Sequence, residues 1–113
     1  MRAGHGQIWS MIFSPTVANE QAGYRPCIVI SANRFNALPI EHAIVVPLTT
    51  RQRDLPHHVP VVDSDGGLDR ASWAMTEAIR SVSTRRFARL IGNASNDTLG
   101  AVERWVRLWF GLR

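Results

Sequence analysis

The chain has 113 residues, a length that suits a single domain, residues 1–113, with one hydrophobic core. All thirteen basic residues are arginines, and with nine carboxylates they leave a net charge of +4 and a pI near 11. This charge favours a polyanionic partner such as nucleic acid or an acidic protein, although a GC-rich codon bias is an alternative cause of the missing lysines. No apolar run approaches the roughly 20 residues of a membrane span, and the N-terminal residues lack the apolar core of a signal peptide.

Cys27 is the only cysteine, and it lies within the apolar run from Cys27 to Ile30. We expect it to be a small buried hydrophobe with no disulfide or metal role. The sequence therefore predicts a protein of the reducing cytoplasm without a membrane partner.

The first half of the chain predicts three strands. Residues 7–13 mix β-branched and aromatic side chains, residues 24–31 follow a long polar connection, and His42–Thr49 is almost entirely apolar. Because hydrophobicity in the third strand is continuous rather than alternating, we expect burial on both of its faces. Residues 33–36 suit a short helical turn. The connection between the first two strands is long for a hairpin and is therefore functional or mobile.

The second half predicts further short strands and a helix. Residues 59–62 suit a fourth strand, and residues 72–83 suit one or two more. Six short strands with brief connections indicate a small barrel. From Leu99 onwards apolar residues recur every three or four positions, with Ser95 as N-cap and Gly111 as stop. The predicted fold is mainly β with a C-terminal helix.

Nine short motifs follow one another along the chain. They are Gly6-Gln7-Ile8-Trp9, Ser14-Pro15-Thr16-Val17, Glu20-Gln21-Ala22-Gly23-Tyr24-Arg25-Pro26, Val46-Pro47-Leu48-Thr49, Leu55-Pro56-His57-His58-Val59, Gly67-Leu68, Glu77-Ala78-Ile79-Arg80-Ser81-Val82, Ile91-Gly92 and Leu108-Trp109-Phe110-Gly111-Leu112. In this order they resemble the motifs of the MazF/PemK-type toxins of type II toxin-antitoxin systems, the mRNA interferases. The resemblance implies an SH3-like barrel with a C-terminal helix, of the kind shared with CcdB, assembled as a homodimer. It also implies a sequence-specific endoribonuclease that needs no cofactor, cleaves single-stranded RNA, stops translation and binds a cognate antitoxin.

Three residues are the candidate catalytic groups. RNA cleaves itself when its 2′-hydroxyl attacks the adjacent phosphate, so a protein has to supply orientation and charge stabilisation. Arg25, at the start of the second strand, is the candidate donor to the phosphate oxygens. Thr49, at the end of the third strand, is the candidate for fixing the phosphate, as the family's Arg and Thr pair implies. An arginine is a poor proton acceptor, so Glu20 is the candidate base, with His58 as a competing choice.

Further residues are candidates for RNA contact. Arg51 and Arg53 are two positions apart, so both face the same way in an extended segment and suit successive phosphates; a solvated loop is the alternative. His57 and His58 suggest a metal site, but adjacent strand residues point to opposite faces and no carboxylate cluster completes a coordination sphere, so we expect no bound metal. The full set of candidate RNA-binding residues is Gln21, Thr50, Arg51, Arg53, His58, Glu77 and Arg80.

Each functional interpretation has an alternative. Arg25 suits a surface salt bridge with Glu20 as well as phosphate binding, and Glu77 with Arg80 suits a structural ion pair. At the level of the protein, two alternatives remain open: a CcdB-like inhibitor of a protein target such as gyrase, and a catalytically silent RNA-binding module of the same fold.

Overall fold

The structure, a computed structural model, describes residues 3–12 and 23–113. This part of the chain is mainly β and ends in a helix, which confirms the predicted class. Two 3-10 turns, Thr76–Ala78 and Thr84–Arg86, interrupt the strands. The strands and helices are β1 (Gln7–Ile12), β2 (Tyr24–Val29), α1 (Asn33–Asn36), β3 (His42–Thr49), β4 (His58–Pro60), β5 (Trp73–Met75), β6 (Arg80–Ser83), β7 (Phe87–Asn93) and α2 (Asn96–Trp109).

The strands form one sheet in the order β4-β5-β3-β2-β1-β7, and β6 also pairs with β3. All of these pairings are antiparallel. The expected barrel is wrong in one respect, because the sheet is open: β4 and β7 are the two ends of the path. An isolated bridge between Asp63 and Ala94 joins the segments that follow these two strands.

The hydrophobic core lies on both faces of the sheet. Trp9, Cys27 and Val45 belong to one buried cluster, whereas Ile8 and Ile28, their neighbours along the strands, belong to another. Successive strand residues point to opposite faces, so a strand with continuous rather than alternating hydrophobicity is buried on both faces, as predicted for β3. Burial raises the pKa of the Cys27 thiol to about 12, although a backbone hydrogen bond from Trp9 acts in the opposite direction. The thiol is therefore a neutral core group.

Helix α2 covers the second cluster. Ser95 is its N-cap, with the hydroxyl accepting a hydrogen bond from Thr98 N at 3.1 Å. The helix ends before Gly111, whose φ of 69° lies in the left-handed region that glycine tolerates. Val102 is fully buried in the cluster, and other apolar positions of the same helix pack against it. Neither helix in the described residues is long and apolar enough to cross a membrane.

Three strands differ from the sequence prediction. The second was expected at residues 24–31 but ends at Val29, and the fourth was expected at residues 59–62 but is observed as β4, His58–Pro60. Strand β7 was missed: no element was predicted for residues 87–93, where a seven-residue strand is observed. In β7 the buried and exposed residues do not alternate, and its pairing with β1 has two register shifts, so the period of two is lost.

The connection after β4 is held by one carboxylate. Asp63 accepts hydrogen bonds from the backbone N–H groups of Asp65, Gly67 and Leu68 at 2.9, 2.7 and 3.0 Å. Gly67 packs directly against β7, because a Cβ at this position would lie 2.2 Å from the carbonyl oxygen of Ile91. This close approach seats the connection against the sheet.

Candidate active site

A cleft of about 500 Å³ opens where β2 begins and β3 ends. Both strands are central in the sheet, so the walls of the cleft rest on the buried core. Arg25, which is exposed, and Thr49, which is half-buried, both line it. The lining residues within the described part of the chain are Tyr24, Arg25, Pro26, Leu48, Thr49, Thr50, Arg51 and Arg53.

The two principal candidates lie on neighbouring strands and share the cleft. The β2–β3 ladder pairs Val29 with Val45 and Cys27 with Pro47, and it ends there, two residues before Arg25 and Thr49. Both residues line the cleft beyond this last pair. Their joint action on a phosphate remains a prediction.

The Thr49 hydroxyl shapes the segment that follows it. Its Oγ1 accepts a hydrogen bond from Arg51 N at 3.1 Å, which turns the chain at the end of β3. A hydroxyl that accepts one hydrogen bond still has its proton to donate. Thr49 can thus hold Arg51 at the cleft and donate to a ligand there at the same time.

The cleft is cationic. Among the described residues that line it, three are arginines, at positions 25, 51 and 53, and none is acidic. Arginine remains charged at any physiological pH and presents donors in a planar fork that matches a phosphate. Such a lining attracts an anion and offers several directed hydrogen bonds to it.

Not every candidate joins this cleft. Glu20 and Gln21 lie outside the described residues. Arg80 begins β6, where it pairs with Val45, and it is not among the residues that line the cleft. Thr50, Arg51 and Arg53 do line it, and their contact with RNA remains a prediction.

His58 and Glu77 are brought together, but away from the cleft. The side chain of His58 is only 2% exposed, and its Nε2 lies 3.1 Å from Oε1 and 3.2 Å from Oε2 of Glu77. Its Nδ1 is buried without a hydrogen-bond partner in the described residues. An imidazole buried in this way is poorly placed to take a proton from a substrate in the cleft or to contact RNA.

His57 was expected to face away from His58, and this expectation is wrong. His57 precedes β4 and lies in a turn, so strand alternation does not apply to it. Its Nε2 lies 3.3 Å from the same Oε1 of Glu77. Partial burial acts to raise the pKa of Glu77. The pKa of Glu77 is nevertheless below its ordinary value. Hydrogen bonds from its own backbone N–H and from His58 lower it, as do the charges of both histidines, and together they outweigh burial.

A second hollow adjoins the cleft and was missed by the sequence analysis. It has a volume of about 200 Å³ and shares Pro26 and Thr50 with the cleft. Its far wall comes from the connection after β4 and from β7, the strand that the prediction omitted. The sequence analysis did not group these residues into one site, because the sheet brings them together from distant segments. They include Ser10, Gly67, Asp69, Arg70, Ser72 and Arg89.

Known sequences resemble the chain over most of its length. A profile of the PemK-like, MazF-like toxins of type II toxin-antitoxin systems matches residues 5–110. Endoribonuclease MazF9 of Mycobacterium tuberculosis is 30% identical over 112 residues, which cover 95% of this chain and 95% of that protein. Endoribonuclease EndoA of Bacillus subtilis is 28% identical over 110 residues, with coverage of 95% and 93%.

Solved structures share the fold. MazF in the Form-III MazE-MazF crystals of Deinococcus radiodurans superposes with a TM-score of 0.82 at 22% identity, covering all of both chains. A mycobacterial endoribonuclease in complex with its cognate antitoxin gives a TM-score of 0.80 at 19% identity, covering 98% of this chain and 97% of that one. The match to the family profile across nearly the whole chain confirms the resemblance inferred from the motifs, and the chain belongs to the PemK-like, MazF-like toxins of type II toxin-antitoxin systems.

Proposed function

We propose that this toxin is a metal-independent endoribonuclease that cleaves single-stranded RNA, mRNA in particular, at the cleft between β2 and β3. The observation that carries the proposal is that Arg25 and Thr49, from two neighbouring strands, line the same cleft. The relatives named above as endoribonucleases support the same activity.

The proposed reaction uses the RNA's own nucleophile. The 2′-oxygen attacks the adjacent phosphorus while its proton leaves to a base, and the bond from phosphorus to the 5′-oxygen breaks. The leaving oxygen takes a proton from solvent, so the products are a 2′,3′-cyclic phosphate and a 5′-hydroxyl. Negative charge grows on the non-bridging oxygens during this step, and preorganised donors stabilise it there.

Each residue of the cleft has a distinct part in this proposal. The Arg25 guanidinium binds the scissile phosphate and stabilises the growing charge, while Thr49 donates to a phosphate oxygen and fixes its orientation. Thr50, Arg51 and Arg53 bind the flanking backbone. Glu20 remains the proposed base, because the burial of His58 disfavours the competing choice.

The partners follow from the family and the charge. We infer a homodimer in the cytoplasm that is neutralised by an acidic antitoxin, since the net charge of +4 suits an acidic segment. The two structures of relatives with their antitoxins support this inference.

The decisive experiment compares two arginine variants in EDTA. Arg25→Ala should reduce cleavage of a single-stranded RNA substrate by at least about 10²-fold, the usual effect of removing one donor to a developing oxyanion. Arg104→Ala is the matched control, because it removes the same charge from the exposed face of α2. Mass spectrometry of the fragments should find a 2′,3′-cyclic phosphate.

Three results would count against the proposal. Equal cleavage by the parent and by Arg25→Ala removes Arg25 from the mechanism. Cleavage that disappears in EDTA contradicts the metal-independent reaction. Salt-sensitive binding of RNA with no cleavage by the parent identifies a silent RNA-binding module instead.

A further inference from the structure

The imidazoles of His57 and His58 and the carboxylate of Glu77 form a compact cluster outside the cleft. Their candidate ligand atoms all lie within 4.8 Å of one another. The two Nε2 atoms lie 3.3 and 3.1 Å from Oε1 of Glu77. We propose that these three residues bind one divalent transition-metal ion, and that Zn²⁺ is the ion they fit best.

The spacing of the donors suits a tetrahedral ion. With bonds of about 2.0–2.1 Å, two ligands of a tetrahedral Zn²⁺ are about 3.3 Å apart. The two distances between imidazole nitrogen and carboxylate oxygen are close to this value, and no two of the candidate ligand atoms are more than 4.8 Å apart, so side-chain rotation can bring all three donors onto one ion. Two imidazoles and one carboxylate favour Zn²⁺ over Mg²⁺ or Ca²⁺, which prefer sites made of oxygen ligands.

The fourth position of the ion would be open to solvent. The side chains of His57 and Glu77 are 23% and 48% exposed, whereas that of His58 is almost completely buried. The ion would therefore enter from the side of Glu77 and keep a water molecule there, with His58 as the inner ligand.

The surrounding residues hold His57 in position. Its carbonyl oxygen accepts a hydrogen bond from the Thr76 hydroxyl at 2.8 Å, and the indole of Trp109 donates to that hydroxyl at 3.1 Å. The rings of Trp109 and Trp105 stand edge-on to the His57 ring, with centroids 5.5 and 6.2 Å away. Groups fixed before binding lose less conformational entropy when a ligand binds.

A bound ion would join two segments that are distant in sequence. His57 and His58 belong to the turn and the first residue of β4, and Glu77 belongs to the 3-10 turn after β5. Trp109 connects the same turn to α2 through Thr76. The ion would therefore fasten the start of β4 to the turn after β5, beside the end of the C-terminal helix, with no part in the chemistry of the cleft.

Calorimetry with ZnCl₂ on untagged protein, stripped of metal in EDTA and dialysed, tests the proposal. We expect one equivalent to bind to the parent and to raise its melting temperature, with no such effect from MgCl₂. His57→Gln and Glu77→Gln should each weaken binding by at least about tenfold, since each loses one of three ligands. Co²⁺ in place of Zn²⁺ should give the visible absorption of a tetrahedral site.

The matched control is His5→Gln. His5 Nε2 lies 2.8 Å from Oε2 of Glu103, which is also a contact between a histidine and a glutamate. Among the described residues, no third metal-ligating side chain lies near this pair. This variant should bind Zn²⁺ as the parent does. The proposal is overturned if the parent shows no saturable binding, if both cluster variants keep parental affinity, or if His5→Gln loses as much affinity as they do. Circular dichroism of the metal-free variants separates loss of the site from loss of the fold.

Discussion

The Thr49 hydroxyl has two hydrogen-bonding roles, and a substitution can remove the hydroxyl while keeping the shape of the side chain. Its hydroxyl accepts from Arg51 N, and in the proposed mechanism it donates to the phosphate. Valine keeps the branched shape that a strand favours but has no hydroxyl, whereas serine keeps the hydroxyl.

We therefore expect Thr49→Val to lower the cleavage rate by about 10²-fold and Thr49→Ser to lower it by much less. Single-turnover kinetics on one RNA substrate, with melting temperatures for both proteins, provides the measurement. If the valine variant cleaves as fast as the serine variant, the hydroxyl has no part in the reaction.

At the residue scale, the sequence predicts the cleft better than the cluster around Glu77. Arg25 and Thr49 are recognisable because one lies at the start and the other at the end of an apolar strand within a family motif, and the pairing of those two strands brings them to the same cleft. The position of His57 was not predictable in this way. It depends on where β4 begins, which is set by pairing with β5, and on the tryptophans of α2.

At the scale of elements, the contact between the connection after β4 and strand β7 gives a sharp test. A methyl group at position 67 would lie 2.2 Å from a backbone oxygen of β7, which cannot move aside as a flexible side chain can. Gly67→Ala should therefore destabilise the fold by about 1–3 kcal/mol, the usual cost of overpacking. Urea denaturation measures the effect.

Gly100 is the matched control for this substitution. It lies in α2, and a methyl group there would meet open space, since nothing stands within 4 Å of the ideal Cβ position. Alanine in an exposed helix interior is favoured over glycine by about 0.5–1 kcal/mol, so Gly100→Ala should stabilise the protein. Equal effects of the two substitutions would contradict the packing described here.

The elements that were predicted correctly are those whose sequence signals lie within the element itself. Helix α2 was predicted together with its N-cap and its glycine stop, because the signals lie within the segment itself. The extent of β3 was also predicted, since its apolar run is continuous. Strand β7 was missed because its irregular register with β1 removes the alternation by which a strand is recognised. The openness of the sheet depends on how its end strands lie, which composition does not reveal.

At the scale of the whole molecule, the arginines determine how binding responds to salt. Each phosphate neutralised on a single strand adds about 0.7 to the slope of log affinity against log salt concentration. Arg51→Ala and Arg53→Ala should each reduce the slope by about this amount if both residues contact the backbone, while Arg104→Ala should leave it unchanged.

Fluorescence anisotropy with a labelled single-stranded RNA at several salt concentrations provides the slopes. A slope that Arg51→Ala and Arg53→Ala do not alter would show that these arginines are solvated and take no part in binding. The same titrations on a DNA strand of equal sequence test whether the 2′-hydroxyl contributes to recognition.

The presence of Arg25 and Thr49 in one cleft depends on their positions along two hydrogen-bonded strands. Deleting or inserting one residue within β2 or β3 would turn one of the two side chains to the other face of the sheet, leaving both strands intact and the pair separated. Length changes that preserve activity should therefore fall only in the loops. Relatives that select different RNA sequences should differ in the side chains around the cleft and keep the lengths of β2 and β3.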